Sequence, residues 1–393
     1  MLDFTLNNTG RQPEKVAPNV GLFKEKPHYE LLDGLRGVAA LLVIWYHFFE
    51  GFATSAVDQQ FNHGYLAVDF FFVLSGFVIG YAYDDRWKKG LTQKGFIVRR
   101  IIRLQPMVVV AVCLGLIAFI IQGCEHWDHT KVAPWAIIAS FVLGLFMLPA
   151  LPGTEVDVRG NNEMFPLVGP AWSLFFEYIG SILYAIWLHR LTTRALRIVV
   201  ILSGIGLVLT AMCNLSGSYS IGVGWSMAEL GFVGGLMRLG FSFGIGLLMS
   251  RNFKPVKIKG AFWLCSLAII LMMCIPYVSL TGEPSPLNGI YDLICTIVIF
   301  PGVVYLGASG KIRDRRSEKV CSFLGTISYP IYIIHYPAMY LFYAWVWNNG
   351  YTFSDVWPVT LVIFALLIPT AYLAVKYYDQ PVRQWLTSKF ITK

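Results

Sequence analysis

LLDGLRGVAALLVIWYHFFEGF (residues 31–52) reads as a membrane-spanning helix that carries two residues hydrocarbon should exclude, Arg36 and His47. The stretch has the length a bilayer core of about 30 Å demands. An arginine at the centre of such a helix costs roughly 2.5–3.5 kcal/mol on insertion scales, so both residues are read as functional. Eleven steps at about 100° each make three turns plus about 20°, which places the two side chains on one face, about 16 Å apart along the axis. One face therefore carries a cation near one end and an imidazole much deeper.

The rest of the chain repeats that apolar character. Of 393 residues, 56% are hydrophobic and 14% charged, and the mean hydropathy is +0.59, against roughly 25% charged residues in a soluble domain. Eleven apolar runs are read at 31–50, 65–83, 106–122, 134–151, 168–188, 197–213, 229–249, 260–279, 289–307, 324–347 and 357–378. Continuous runs of this length satisfy their backbone groups in lipid as helices, and no alternating ten-residue barrel strands occur. The expected fold class is all-α, a polytopic membrane helix bundle filling residues 31–380.

A net charge of +8 raises the question of nucleic acid, but the basic residues are distributed as topological markers. They cluster at 86–103, 190–197, 251–259 and 311–319, while the intervening loops hold almost none. This is the positive-inside pattern, and no nucleic-acid partner is expected. If every cluster and both termini face the cytoplasm, one segment between 106 and 188 must fail to cross. That role falls to 134–151, because the loop 152–166, with Glu155, Asp157, Arg159 and Glu163, looks non-cytoplasmic. About ten transmembrane helices plus a re-entrant segment near 134–151 result, with a cytoplasmic tail at 1–30 and another at 381–393. An eleventh full span that breaks the charge rule once is the alternative. Seven scattered cysteines show no metal or redox spacing, and no metal site is expected.

Depth then follows from direction. Helix one runs outward and the next runs inward, so Asp69 falls near the level of His47, where a carboxylate can hold an imidazole tautomer and raise its basicity; capping or snorkelling at the outer interface is the alternative. Arg99, Arg100 and Arg103 in FIVRRIIRLQP (96–106) suit phosphate through charge-assisted guanidinium hydrogen bonds, or equally an anchor on anionic lipid. Glu177 lies near a midplane, with Trp172 and Ser173 nearer the outer end. Ser328, Tyr332 and His335 share one helical face at i, i+4 and i+7. Ser75 in VLSGF offers a nucleophile or a close-packing site.

Taken together, LDGLRGVAALLVIWYH, GYLAVDFFFVLSGFVIG, FIVRRIIRLQP, PAWSLFFEY and SYPIYIIHYP, in that order, resemble the acyltransferase-3 family of integral membrane acyltransferases over nearly the whole chain. The resemblance implies transfer of an acyl group, commonly acetyl, from cytoplasmic acyl-CoA (acetyl-CoA) to an envelope polysaccharide, lipid-linked glycan or related exported acceptor. It also implies a bacterial inner membrane with both termini cytoplasmic. The family's R-x10-H motif maps onto Arg36 and His47, and its RxxR motif onto Arg100 and Arg103. Val108 departs from the tyrosine frequent there. On this reading His47, oriented by Asp69, is the general base, with Arg36 and Glu177 in the catalytic set. Arg99, Arg100 and Arg103 bind the donor, while Trp172, Ser173, Tyr332 and His335 line the acceptor path. Buried ionisable groups among ten helices also describe a transporter or flippase, although no inverted repeat is detectable.

Overall fold

The computed structural model describes residues 28–228, 230–312 and 314–391; the expected tail at 1–30 therefore lies almost wholly outside the described residues. The described chain is helical, with only two isolated β-bridges. Its helices are α1 (Glu30–Glu50), α2 (Ala67–Trp87), α3 (Gln93–Ile121), α4 (Pro134–Leu145), α5 (Ala171–Ile186), α6 (Thr193–Met212), α7 (Gly231–Arg251), α8 (Ala261–Met273), α9 (Pro286–Ile294), α10 (Phe300–Ser309), α11 (Arg315–Asn349), α12 (Phe353–Ala374) and α13 (Gln380–Phe390). Single π-turns at Cys295–Ile299 and Val375–Asp379 join α9 to α10 and α12 to α13. Among the described residues, seven helical stretches are long and apolar enough to cross a membrane on length and composition, and shorter apolar helices accompany them.

Contacts between helices give each one a direction. Gly34 and Gly37 meet Cys321 and Leu324 while Gly51 meets Tyr343, so α1 and α11 run parallel. Asp69 pairs with Arg238 and Gly76 abuts Phe243, so α2 and α7 are also parallel. Phe96 packs on Tyr184 while Gln105 further along reaches Tyr178, which makes α3 and α5 antiparallel. Continuing round the bundle, α1, α3, α6, α8 and α11 point one way, and α2, α5, α7, α9–α10 and α12–α13 the other. The approach is close where side chains are missing. A Cβ on Gly76 would sit 2.1 Å from the Phe243 carbonyl oxygen, and one on Gly37 would sit 2.5 Å from that of Leu324.

The segment α4 stands apart from this alternation. Twelve residues make a rod of about 18 Å, short of a bilayer core. It leaves the loop after α3, descends beside α3 until Gln105 Nε2 donates to the Leu145 carbonyl (2.6 Å), and returns as non-helical chain at 146–170. Gly115 of α3 lies against the Leu167 carbonyl, so irregular backbone is shielded by protein at that depth.

Two sequence expectations change in detail. The apolar run read at 106–122 is the second half of a longer helix, because α3 starts at Gln93, carries Arg99, Arg100 and Arg103, and runs unbroken through Pro106 to Ile121. Residues 381–390, expected as tail, continue the last helix as α13. The loops at 88–92, 187–192, 252–260 and 310–312 all lie at the end where α1 begins, so the basic clusters share one end of the bundle. The main apolar core extends from Leu31 to Ala371, and a small second cluster joins Val200, Leu207 and Phe241. Ile198, Leu202, Ile205, Trp263, Leu267 and Leu366 remain exposed outside it, as lipid-facing side chains do.

Candidate active site

Two cavities open at opposite ends of the α1–α11 pair. The first, about 340 Å³, collects His47, Tyr46 and Glu50 of α1, Trp172 at the start of α5, Arg238 of α7, Tyr332, Tyr336, Tyr340 and Tyr343 of α11, and Trp127 and Glu163 from the loops. Its walls are mostly aromatic, with carboxyl, amide and hydroxyl groups between the rings.

His47 is held from three sides. Its Nδ1 lies 2.7 Å from Glu50 Oε2, one turn on in the same helix. A carboxylate only accepts, so Nδ1 is the donor in this bond, and in the neutral imidazole that tautomer leaves the lone pair on Nε2. Tyr343 donates to both the His47 carbonyl (2.6 Å) and Glu50 (3.2 Å). His335 stacks on the imidazole at 5.3 Å, and Tyr336 meets it edge-on at 4.8 Å. His335 is itself fully buried and donates from Nδ1 to the Ile331 carbonyl. Glu50 escaped the sequence reading although its i+3 spacing from His47 was visible.

Asp69 does not fill the expected place beside the imidazole. Both of its oxygens are taken by Arg238, at 2.6 Å from Nη2 and 3.2 Å from Nε, and the pair is essentially sealed from solvent. Arg238 also donates to the Val223 and Tyr65 carbonyls and lies over the Trp172 ring. The reason is energetic: a buried guanidinium needs a buried carboxylate more than a neutral imidazole does. Arg238 stands alone in a long apolar run, and intramembrane charge was the signal that should have singled it out.

The loop 152–166 folds inward. Arg159 is 1% exposed, donates to the Pro166 carbonyl (2.5 Å), and stacks on Tyr340 with its guanidinium carbon 3.4 Å from the ring centre. Glu163 receives hydrogen bonds from Tyr340 and from Asn161 (2.9 Å), and burial pushes its carboxyl up to about 7. The sequence marked this loop only as non-cytoplasmic; burial of Arg159 and Glu163 inside the bundle was not legible in it.

The floor of the cavity is Tyr332, whose hydroxyl shares a 2.7 Å hydrogen bond with Ser173; Ser173 in turn reaches the Pro170 carbonyl (3.0 Å). Beyond it lies the second cavity, about 300 Å³, lined by Asp33, Arg36, Arg103, Tyr329, Pro330, Asp379 and Arg383 among others. Arg36 donates from Nε to Ser328 (2.8 Å) and pairs with Asp33 (3.1 Å). The three arginines of α3 separate. Arg103 enters this cavity, Arg99 bonds the Gly95 carbonyl (2.7 Å), and Arg100 is engaged by Glu177 and Ser181. Glu177 also accepts from Ser75 (3.2 Å), so Glu177, Arg100 and Ser75 form a cross-link of α2, α3 and α5 outside the lining of both cavities. Among the described residues no cluster of metal-ligating side chains occurs.

Comparison with known proteins follows the same residues. A family model described as an acyltransferase domain matches residues 29–376. Protein 2 in the picA locus of Rhizobium radiobacter is 37% identical over 188 residues, which cover 46% of this chain and 93% of that protein. The peptidoglycan O-acetyltransferase OatA of Listeria monocytogenes is 26% identical over 397 aligned residues, covering 96% of this chain but 58% of the relative, so the chain spans little more than half of that protein. No solved structure matches. Of the two classes the sequence left open, carrier and transferase, the match selects the second. The chain belongs to the acyltransferase-3 family of membrane acyltransferases, and it transfers acyl groups.

Proposed function

We propose that the protein is an O-acyltransferase that moves an acetyl group from acyl-CoA at the basic end of the bundle to a hydroxyl of an exported glycan at the other. The observation that carries this reading is the pairing of a His47–Glu50 base with an aromatic, polar cavity, on the same helix whose far end supplies Arg36 to an arginine-lined cavity. The clustering of Lys and Arg supports a cytoplasmic placement for the basic end, and the O-acetyltransferase relative supports acetyl as the group.

In the proposed step, His47 Nε2 takes the proton from the acceptor hydroxyl as its oxygen bonds to the acyl carbon. The carbon–sulfur bond breaks, and the thiolate that leaves takes up a proton. Glu50 keeps Nδ1 protonated and stabilises the imidazolium that forms. Tyrosine and tryptophan faces suit the apolar flanks of a sugar ring, while Glu163, Asn161 and Asn62 offer partners for its hydroxyls. On the donor side the reading rests on Arg103 and Arg36, because Arg99 and Arg100 are held by Gly95 and Glu177. The bilayer-sealed bundle and an envelope glycan or lipid-linked acceptor complete the picture.

The test is acyl transfer by purified protein in vesicles loaded with envelope glycan. His47→Ala should lower turnover by about 10²–10⁴, the range general acid–base catalysis supplies, with CoA affinity unchanged. Full transfer by that variant would remove His47 from the chemistry.

A further inference from the structure

The basic-end cavity contains a third arginine that no motif announces. Arg383 lies 280 residues beyond Arg103 in the chain, on the helix that follows the π-turn Val375–Asp379. A π-turn adds one residue to a helical turn and re-aims the side chains after it, and such turns recur at functional sites. Here it brings Asp379 and Arg383, one turn apart, to the same cavity as Arg36 and Arg103. We propose that Arg36, Arg103 and Arg383 form a clasp for the phosphates of the donor's nucleotide end, with Arg383 as its third member; this rests on the acyl-CoA reading above.

The hydrogen-bond inventory supports a ligand of that chemistry. Both aspartates in the cavity already have a cation, with the exposed Glu30 at its edge as a third carboxylate: Asp33 holds Arg36 (3.1 Å) and His28 (2.5 Å), and Asp379 holds Arg383 (3.1 Å). Arg36 Nη1 and the Nε and Nη2 groups of Arg383 make no hydrogen bond among the described residues, and neither does any part of the Arg103 guanidinium. These donors belong to three like charges within electrostatic reach of one another, an arrangement that repels itself until an anion sits between the forks. Planar guanidinia match phosphate oxygens two at a time. Asp379 contributes the opposite need. Its Oδ1 is buried without a partner, and a ribose hydroxyl or an exocyclic amine would supply the missing donor. Phosphate acceptors together with a hydroxyl or amine donor describe a nucleotide rather than a lone inorganic anion or a lipid phosphate.

The experiment is calorimetric titration of the full chain in nanodiscs with CoA and with adenosine 3′,5′-bisphosphate. Arg383→Gln should weaken both ligands about tenfold while leaving the melting temperature of the free protein in place. Lys389→Gln, which removes a charge six residues further along the same helix, should leave both affinities unchanged. Arg383→Lys should recover part of the loss, since it restores charge without the fork. If Arg383→Gln bound CoA as tightly as the wild type, the clasp would be wrong and the donor reading would stand. Equal weakening by Lys389→Gln would reduce the effect to general surface charge and overturn the clasp too. If the wild type bound neither CoA nor the bisphosphate, the donor reading itself would fall and take the clasp with it.

Discussion

Tyrosine and tryptophan wall the cavity around His47, whereas Arg36, Arg103 and Arg383 crowd the cavity at the opposite end over two aspartates. The aromatic cavity includes one guanidinium, that of Arg238, and Asp69 neutralises it. In the basic cavity the guanidinia outnumber the carboxylates that hold them. The difference is a division of labour in solvation. Flat apolar faces suit a ring that keeps its hydroxyls hydrogen-bonded, while guanidinium forks suit an anion that must shed water. One helix, α1, contributes a residue to each end, and that is the structural meaning of the 36-to-47 spacing.

Three changes would break or sharpen this contrast. The largest effect is expected at the neutralised arginine: Asp69→Asn leaves Arg238 buried without a counter-charge and should destabilise the bundle by about 3–5 kcal/mol, read by denaturant unfolding in detergent. A stability near wild type would mean that Arg238 is available as a free cation, and the two cavities would no longer differ in kind. Next, Glu50→Gln should lower acyl-transfer turnover about tenfold or more, within the 10²–10⁴ of the base itself, without altering CoA affinity. A change in CoA affinity instead would join the two ends into one site. The smallest effect concerns Glu163. Its carboxyl sits at about 7 when folded against an ordinary 4.5, so between those values the folded state binds more protons than the unfolded chain. Stability should therefore fall as pH rises through that window. Glu163→Gln should flatten the slope in melting temperature between pH 5 and 8, and an identical slope in the variant would place the titration elsewhere.

Much of this architecture could be read from local pattern. Hydropathy gives the apolar helices, and the alternation of basic loops singled out 134–151, where α4 proves too short to span. Spacing on one helix also worked, since Arg36 and His47 do occupy the two ends of one face. What the pattern could not supply is pairing between distant segments. Asp69 and Arg238 are 169 residues apart, and Arg100 and Glu177 are 77 apart; Asp69 was placed by depth and Arg100 by motif rather than by the packing that brings these partners together. The inward fold of the loop holding Arg159 and Glu163 was hidden for a related reason. Its polarity reads as solvent exposure, whereas stacking on Tyr340 and Trp127 buries it. The π-turn before α13 leaves no trace in composition, so Arg383 looked like an ordinary tail residue.

Pro330 and Tyr332 are two residues apart on α11, yet the first lines the basic cavity and the second floors the aromatic one. Only about 3 Å of helix rise separates them, with the Tyr332–Ser173 hydrogen bond closing the gap. A wall closed by these side chains lets the two pockets approach from opposite ends without joining. For the transfer proposed above, such a wall would act as electrical insulation, leaving an acyl group a short distance to cover while closing the path to protons and ions.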